Sequence, residues 1–258
     1  MKLRITKTLM MLATISTLFL SSCKDEEVPP ETAPIACQTT QTYTNGTGYS
    51  YTYNAEGQII ATEKHDGETT NLTYDNGLLT GWTSSTNATT TFVYEAGATF
   101  PSSSKSYNSD GVLIGTRVYT STNGYITSEE SLDTNSKTLS KYSIEYDSDF
   151  NLTKWSADLA MGPPGTPVSK DAMVITNIVT DGKANPYTQN KAMSLITRGG
   201  LVVVNGSSNL VSGDFSMLGG DPRPCSSQIT YDENYNVISN DYTQGSQTLN
   251  FTYTYSCK

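Results

Sequence analysis

Strict alternation constrains this chain more than any other feature. In "YSYTYNAEG", Tyr49, Tyr51 and Tyr53 fall on one side of an extended chain and Ser50 and Thr52 on the other. In "LNFTYTYSC", Leu249, Phe251, Tyr253, Tyr255 and Cys257 share one side, and Asn250, Thr252, Thr254 and Ser256 share the other. Successive side chains of a strand point to opposite faces, so a period of two describes strands with one wet face. Apolar residues at helical spacing are scarce, whereas 17 Tyr stand among abundant Thr, Ser, Asn and Gly. A second regularity overlies the first. "YNAEGQII" (53–60), "YDNGLL" (74–79), "YEAG" (94–97), "YNSDGVLI" (107–114), "YDSDFNL" (146–152) and "YDENYNVI" (231–238) each read as a tyrosine, a polar turn and then, in most, aliphatics. Asp and Asn bond their own backbone in such turns, and Gly and Asn accept positive φ. The first three tyrosines are 21 and 20 residues apart, one hairpin plus a return turn. "NGTG" (45–48), "HDGE" (65–68), "STNG" (121–124) and "TQGSQ" (243–247) are expected at the opposite rim. The pattern predicts an all-β fold, an antiparallel meander of repeated hairpins.

Residues 37–258 read as a single domain, with an irregular insertion at about 156–224. There "MGPPGTP" (161–167) and "LGGDPRP" (218–224) read as loops, and "AMVITNIV" (172–179) and "LVVV" (201–204) as strands. "YTQNKAMSLI" (187–196), with Pro186 just before its start, is the one short helix the pattern allows. A specialised surface is expected in this span, because function concentrates on loops carried by a scaffold.

The tyrosine units resemble the Tyr-Asp repeats of RHS-like proteins. More closely, they resemble Bacteroidota lipoproteins of unknown function built from repeated hairpins. The resemblance covers most of 37–155 and 225–257, and includes "DGKANPY" (181–187), similar to the Asn-Pro-aromatic segment that those proteins carry before their last hairpins. It brings no catalytic residues. It implies an open, curled antiparallel sheet or incomplete barrel.

The N-terminus supplies an address. Lys2, Arg4 and Lys7 precede an apolar run from Thr8 to Leu20, too short to span a bilayer and suited to a signal-peptide core. Leu20-Ser21-Ser22-Cys23 resembles the lipobox of bacterial lipoproteins, which implies removal of residues 1–22 and acylation of Cys23. Acyl chains, at ~0.8 kcal/mol per buried methylene, hold a protein to a membrane without a spanning helix. Lys24, Asp25, Glu26 and Glu27 resemble the tag that sends Bacteroidota lipoproteins to the outer face of the outer membrane. The proline-rich "VPPETAPIA" (28–36) reads as a semi-extended spacer, completing a linker over 23–36. Losing three cations with residues 1–22 takes the formal charge from −9 to −12. So acidic a chain, lacking any Lys/Arg cluster, is a poor partner for nucleic acid.

No motif assembles chemistry. His65 stands alone in the turn-like "KHDGE", which excludes a multi-histidine metal site, and no G-x-S-x-G accompanies it. "DSDFN" (Asp147, Asp149, Asn151) resembles the start of a calcium loop with Asp158 where the last ligand would lie, but Leu152 replaces the required Gly. Glu129 and Glu130 are adjacent on a strand and face opposite ways. "GPPGTP" lacks the Gly-Lys-Ser/Thr of a phosphate loop. No catalytic residue, metal or cofactor is expected. Trp82 and Trp155 are candidate ligand-stacking aromatics, with burial in a tyrosine-rich core as the alternative. The reading is a surface binding or structural module for an extracellular glycan or protein. The alternative is a secreted hydrolase such as a glycosidase.

Cys37, Cys225 and Cys257 remain in an oxidising envelope. Counting along the last hairpins puts Cys225 and Cys257 about ten residues apart, roughly 30 Å at ~3.4 Å per residue. A disulfide usually has about 4.4–6.8 Å between Cα atoms and cannot bridge more than about 7 Å. Cys37 and Cys257 lie at the same rim, so a Cys37–Cys257 bridge is expected if the sheet curls enough to bring its ends together.

Overall fold

The computed structural model describes residues 37–44, 47–160, 166–187, 195 and 208–257. Its first eight strands are β1 (Cys37–Thr44), β2 (Thr47–Tyr53), β3 (Ile59–Lys64), β4 (Thr69–Asp75), β5 (Leu78–Ser84), β6 (Thr89–Val93), β7 (Ser103–Tyr107) and β8 (Leu113–Thr122). The second eight are β9 (Tyr125–Leu132), β10 (Thr138–Tyr146), β11 (Leu152–Leu159), β12 (Ser169–Ala184), β13 (Ser208–Met217), β14 (Arg223–Tyr231), β15 (Val237–Gln244) and β16 (Gln247–Cys257). β12 and β13 belong to the span expected to be irregular, and they pair with each other and with their neighbours. The helix expected over 187–196 lies outside the described residues except for Tyr187 and Leu195, as do the strand at 201–204 and residues 161–165. Residues 1–36, with Cys23 and Lys24 to Glu27, also lie outside them.

Each strand pairs antiparallel with its neighbour in sequence, and β1 pairs with β16, so the sheet is a closed barrel. This corrects the expected open, curled sheet or incomplete barrel. Cys37 stands opposite Cys257 and Thr44 opposite Phe251, so the seam is paired along β1. Closure occupies the backbone groups that an open sheet would leave along two edge strands.

Successive turns alternate between two rims. The Tyr53, Tyr74, Tyr94, Tyr146 and Tyr231 turns share one, called here the tyrosine rim, with Cys37 and Cys257. "YNSDGVLI" (107–114) does not join them. One strand, β7, separates the Tyr94 loop from the Tyr107 turn, so the latter lies at the far rim, and "STNG" (121–124) turns at the tyrosine rim. Both placements reverse the expected ones. The motif encodes a turn, and the number of intervening strands sets its rim.

The repeat has a physical basis. In five units the tyrosine sits just past a register shift and opposite an aliphatic at the start of the returning strand: Tyr53 with Ile59, Tyr74 with Leu79, Tyr107 with Leu113, Tyr146 with Leu152 and Tyr231 with Val237. The extra residue in such a bulge re-aims the side chain. Phenol hydroxyls then donate to carbonyls of the preceding strand: Tyr74 to Ile59 at 2.8 Å, Tyr94 to Leu79 at 2.9 Å, Tyr146 to Ile126 at 2.8 Å and Tyr255 to Val237 at 2.9 Å. These four tyrosines thereby key their strands to the strands before them. The aliphatics beneath these rings are sealed, with Ile59 at 0 %, Leu152 and Val237 at 1 % and Leu79 at 4 % exposure. The tyrosine rim is thus closed by packed side chains.

Candidate ligand cavity

Inward side chains of β1–β8 are small and hydroxylated for much of their length. Cross-strand partners share a face, so rows can be followed round the wall. Thr42, Tyr49 and Lys64 form one. Tyr51, Thr62, Thr70 and Ser84 form the next. Leu72, Trp82, Thr90 and Ser106 form a third, toward the interior. Side chains this small do not fill the lumen, and a cavity of about 600 Å³ remains. Its lining also includes Ser104, Arg117 and two residues of the β12–β13 connection, Tyr187 and Leu195.

Exposure locates the mouth. Far-rim Tyr49 is 36 % exposed, and Ile114 at the same end is 55 % exposed. Deeper, Thr62 is at 4 %, Ser104 at 2 % and Tyr187 and Leu195 at 4 %. Among the described residues the cavity is therefore open at the far rim and closed at its inner end by Tyr187 and Leu195. Tyr187 packs edge-on against Tyr253 of β16, centroids 5.7 Å apart. Burial pushes its hydroxyl up to about 12 and raises that of Tyr51, so both stay neutral hydrogen-bonding groups at physiological pH.

The wall hydroxyls hold one another in place. Thr42 and Tyr51 hydroxyls lie 2.9 Å apart, Thr90 and Ser106 3.0 Å, and Ser104 and Tyr119 3.0 Å. Charge is confined to paired groups. Lys64 contacts Asp66 at 2.6 Å, and that bond raises the pKa of the ammonium and lowers that of the carboxyl. Arg117 approaches buried Glu129 at 3.6 Å. Trp82 is half-buried, edge-on to Phe92 at 4.9 Å, and its indole lines the cavity. Beside it the β5 and β6 backbones approach closely: a Cβ at Gly81 would sit 2.5 Å from the Thr90 carbonyl oxygen.

The other residues singled out in the sequence lie elsewhere. Trp155 is 3 % exposed and stacks on Tyr142 at 5.8 Å, so the two tryptophans occupy different environments. Cys37 and Cys257 are bonded, Cα atoms 4.0 Å apart, and Cys225 is a buried thiol whose pKa burial raises. Cys225 lies opposite Gln244 and Gln244 opposite Gln247, which puts it at the other end of β16 from Cys257. His65 is exposed in the β3–β4 turn. Asp147 accepts from the backbone of Asp149 and Asn151 in a tyrosine-rim turn, whereas Asp158 accepts from the Asp171 amide near the other end of β11. Glu129 faces inward and Glu130 outward, the latter accepting from Thr138. Sequence reasoning missed the hydroxyl lining and Tyr187. The available signal was a strand such as "TTTFV", with Thr on both faces.

No family model and no curated protein matches this sequence. Solved structures do. A porin-like protein from Bacteroides uniformis superposes with a TM-score of 0.54 at 12 % identity, covering 84 % of this chain and 96 % of its own. A porin-like protein from Bacteroides vulgatus gives 0.53 at 12 %, covering 85 % and 99 %. The chain shares their fold.

The outer wall bears on what that likeness means. A barrel that crosses a membrane carries an apolar outer band on strands of about 9–11 residues. Here strand length runs from 5 residues in β6 and β7 to 16 in β12, with β8 and β13 at 10 and β16 at 11. Outward positions hold Glu63, Lys105 and Glu145, all exposed, and Lys154 bonds Glu145 at 3.1 Å. A cation facing lipid near the midplane costs about 2–4 kcal/mol. Charged side chains thus stand on the outer face beside exposed Ile60, Val93, Val118 and Leu139.

Proposed function

We propose that the protein is a lipid-anchored module of the outer-membrane surface that binds a glycan in the barrel cavity. The carrying observation is the blind cavity lined by Ser, Thr and Tyr hydroxyls with an indole on its wall. Sugars present hydroxyls that such groups bond in either direction, and apolar ring faces that an indole can cover. The described lining holds two cations, Lys64 and Arg117, both already paired, which favours a neutral sugar over an acidic one. Cys37, where a chain from an acylated Cys23 would enter the barrel, lies on the tyrosine rim, opposite the mouth. A glycosidase would need two carboxylates about 5–10 Å apart. Among the described lining residues Glu68 is the sole carboxylate, and it lies 4.0 Å from Lys64.

Two experiments test the two parts. Detergent-solubilised protein is applied to immobilised xylan, mannan, laminarin and pullulan, with Trp82→Ala as control. Binding that this substitution weakens about tenfold, equivalent to about 1.4 kcal/mol, is expected. Retention of none of the four, or retention unaffected by Trp82→Ala, contradicts the glycan reading. For the anchor, Cys23→Ala should abolish palmitate labelling and release the protein from membranes. Replacing Lys24 to Glu27 with Ala should keep the lipid but remove access of added protease to the protein on whole cells.

A further inference from the structure

We infer that the cavity takes glycans end-on, by a chain terminus, and excludes internal stretches of a polymer. This deepens the glycan reading and rests on it. A polymer can be bound along its length only by an open groove or by a tunnel with two exits. The barrel offers neither. Its side wall is hydrogen-bonded through every strand, seam included, so no lateral slot opens between strands. Its inner end is stopped by Tyr187 and Leu195, each 4 % exposed, and below them the tyrosine rim is sealed by Ile59 and Leu79. A chain entering at the far rim must therefore end inside. The available space, about 600 Å³, lies within the ~300–1,000 Å³ of sites that enclose small molecules and suits a few sugar rings. Trp82 sits on the wall between mouth and floor, with buried Leu72 opposite it on one side and buried Thr90 on the other. There it would cover one ring face, while Thr62 and Ser104 are placed to meet ring hydroxyls. Tyr187, hydroxyl protonated and ring braced by Tyr253, acts as the stop against which the terminal ring rests.

The test uses whichever of xylan, mannan, laminarin and pullulan retains the protein. Each is divided, and one half is trimmed by partial acid hydrolysis to about a tenth of its chain length. At equal mass the trimmed half holds about ten times as many ends. End-on binding raises protein capacity per gram in the same proportion, about tenfold, because ends are the ligand in the mass-action sense. A trisaccharide of the same polymer should also compete as well as longer fragments. Capacity unchanged by trimming, or competition that keeps strengthening with fragment length, overturns the end-on inference and leaves glycan binding standing. Retention by none of the four polymers overturns the glycan reading itself.

Discussion

The two halves of the wall differ in what they turn inward. From β1 to β8 the lumen receives Thr42, Thr62, Thr90 and Ser104, with Tyr51 and Trp82 between them. From β9 to β16 it receives Ile144, Leu152, Trp155, Ile175, Phe215 and Phe251, all 8 % exposed or less. Large apolar side chains interdigitate and exclude water, and a void among them forfeits contacts. Hydroxyls tolerate a void because water or a ligand can bond them. Buried apolar side chains line both halves, Ile59, Leu72, Leu79 and Phe92 in the first included, but the added hydroxyls of the first half let it keep a cavity open. A meander of near-identical hairpins acquires a site simply by changing the inward residues over half its strands.

The strongest way to break this comparison is to truncate one residue in each half. Phe251→Ala, at a site 1 % exposed, should cost about 3–5 kcal/mol. Thr62→Val, at a buried site on the cavity wall, should cost no more than the ~0.5–1.5 kcal/mol of a lost hydrogen bond, while weakening glycan retention. Urea unfolding of both variants measures the gap, and equal losses would erase the distinction. The seam joins the two halves. Opening the bridge with Cys257→Ser should cost about 2–4 kcal/mol, since it ties residues 220 apart in sequence. A smaller change is expected from alkaline titration, because both halves use buried tyrosines. Burial raises Tyr187, Tyr53 and Tyr74 from the ordinary 10.0 to about 12. A group whose pKa is higher folded than unfolded contributes in full below pH 10 and loses that contribution as pH climbs toward 12. Stability should be level up to about pH 10 and fall beyond it. Tyrosinate absorbance that rises fully near pH 10 in a still-folded barrel would contradict this.

Much of the wall was legible in the sequence. Phe251 and Tyr253 lie inward as their alternation requires, and Thr252 and Thr254 lie outward. The five-residue turns follow from their Asp and Asn residues, as at Asp232, which accepts from the amides of Asn234 and Asn236. Closure was legible only through the Cys37–Cys257 pairing, which required the two ends of the sheet to meet. It depends on β1 meeting β16 across the whole chain, and no local pattern records a lateral neighbour. The reversal of rims at Tyr107 has a similar cause, since a turn motif carries no label for the side it occupies. The cavity was hidden because hydroxylated residues were assigned to the wet outer face. In β6, Thr91 is outward and exposed, whereas Thr90 is inward and 6 % exposed. Residue type alone does not separate them. Tyr187 reaches the lumen from a connection rather than from the alternating wall, so period two gave no hint of it.

The chain has 2 tryptophans, one in each half, and they allow the most direct test. Trp82 lines the cavity, and Trp155 is buried with its indole nitrogen unbonded among the described residues. Trp155→Phe leaves Trp82 as sole reporter, and Trp82→Phe leaves Trp155. Acrylamide quenching of the two folded variants should be strong for Trp82 and weak for Trp155. Adding the trisaccharide of the retained polymer should protect Trp82 alone. Equal quenching of the two indoles, or sugar protection of Trp155, would contradict the division into an open hydroxylated cup and a dry packed half.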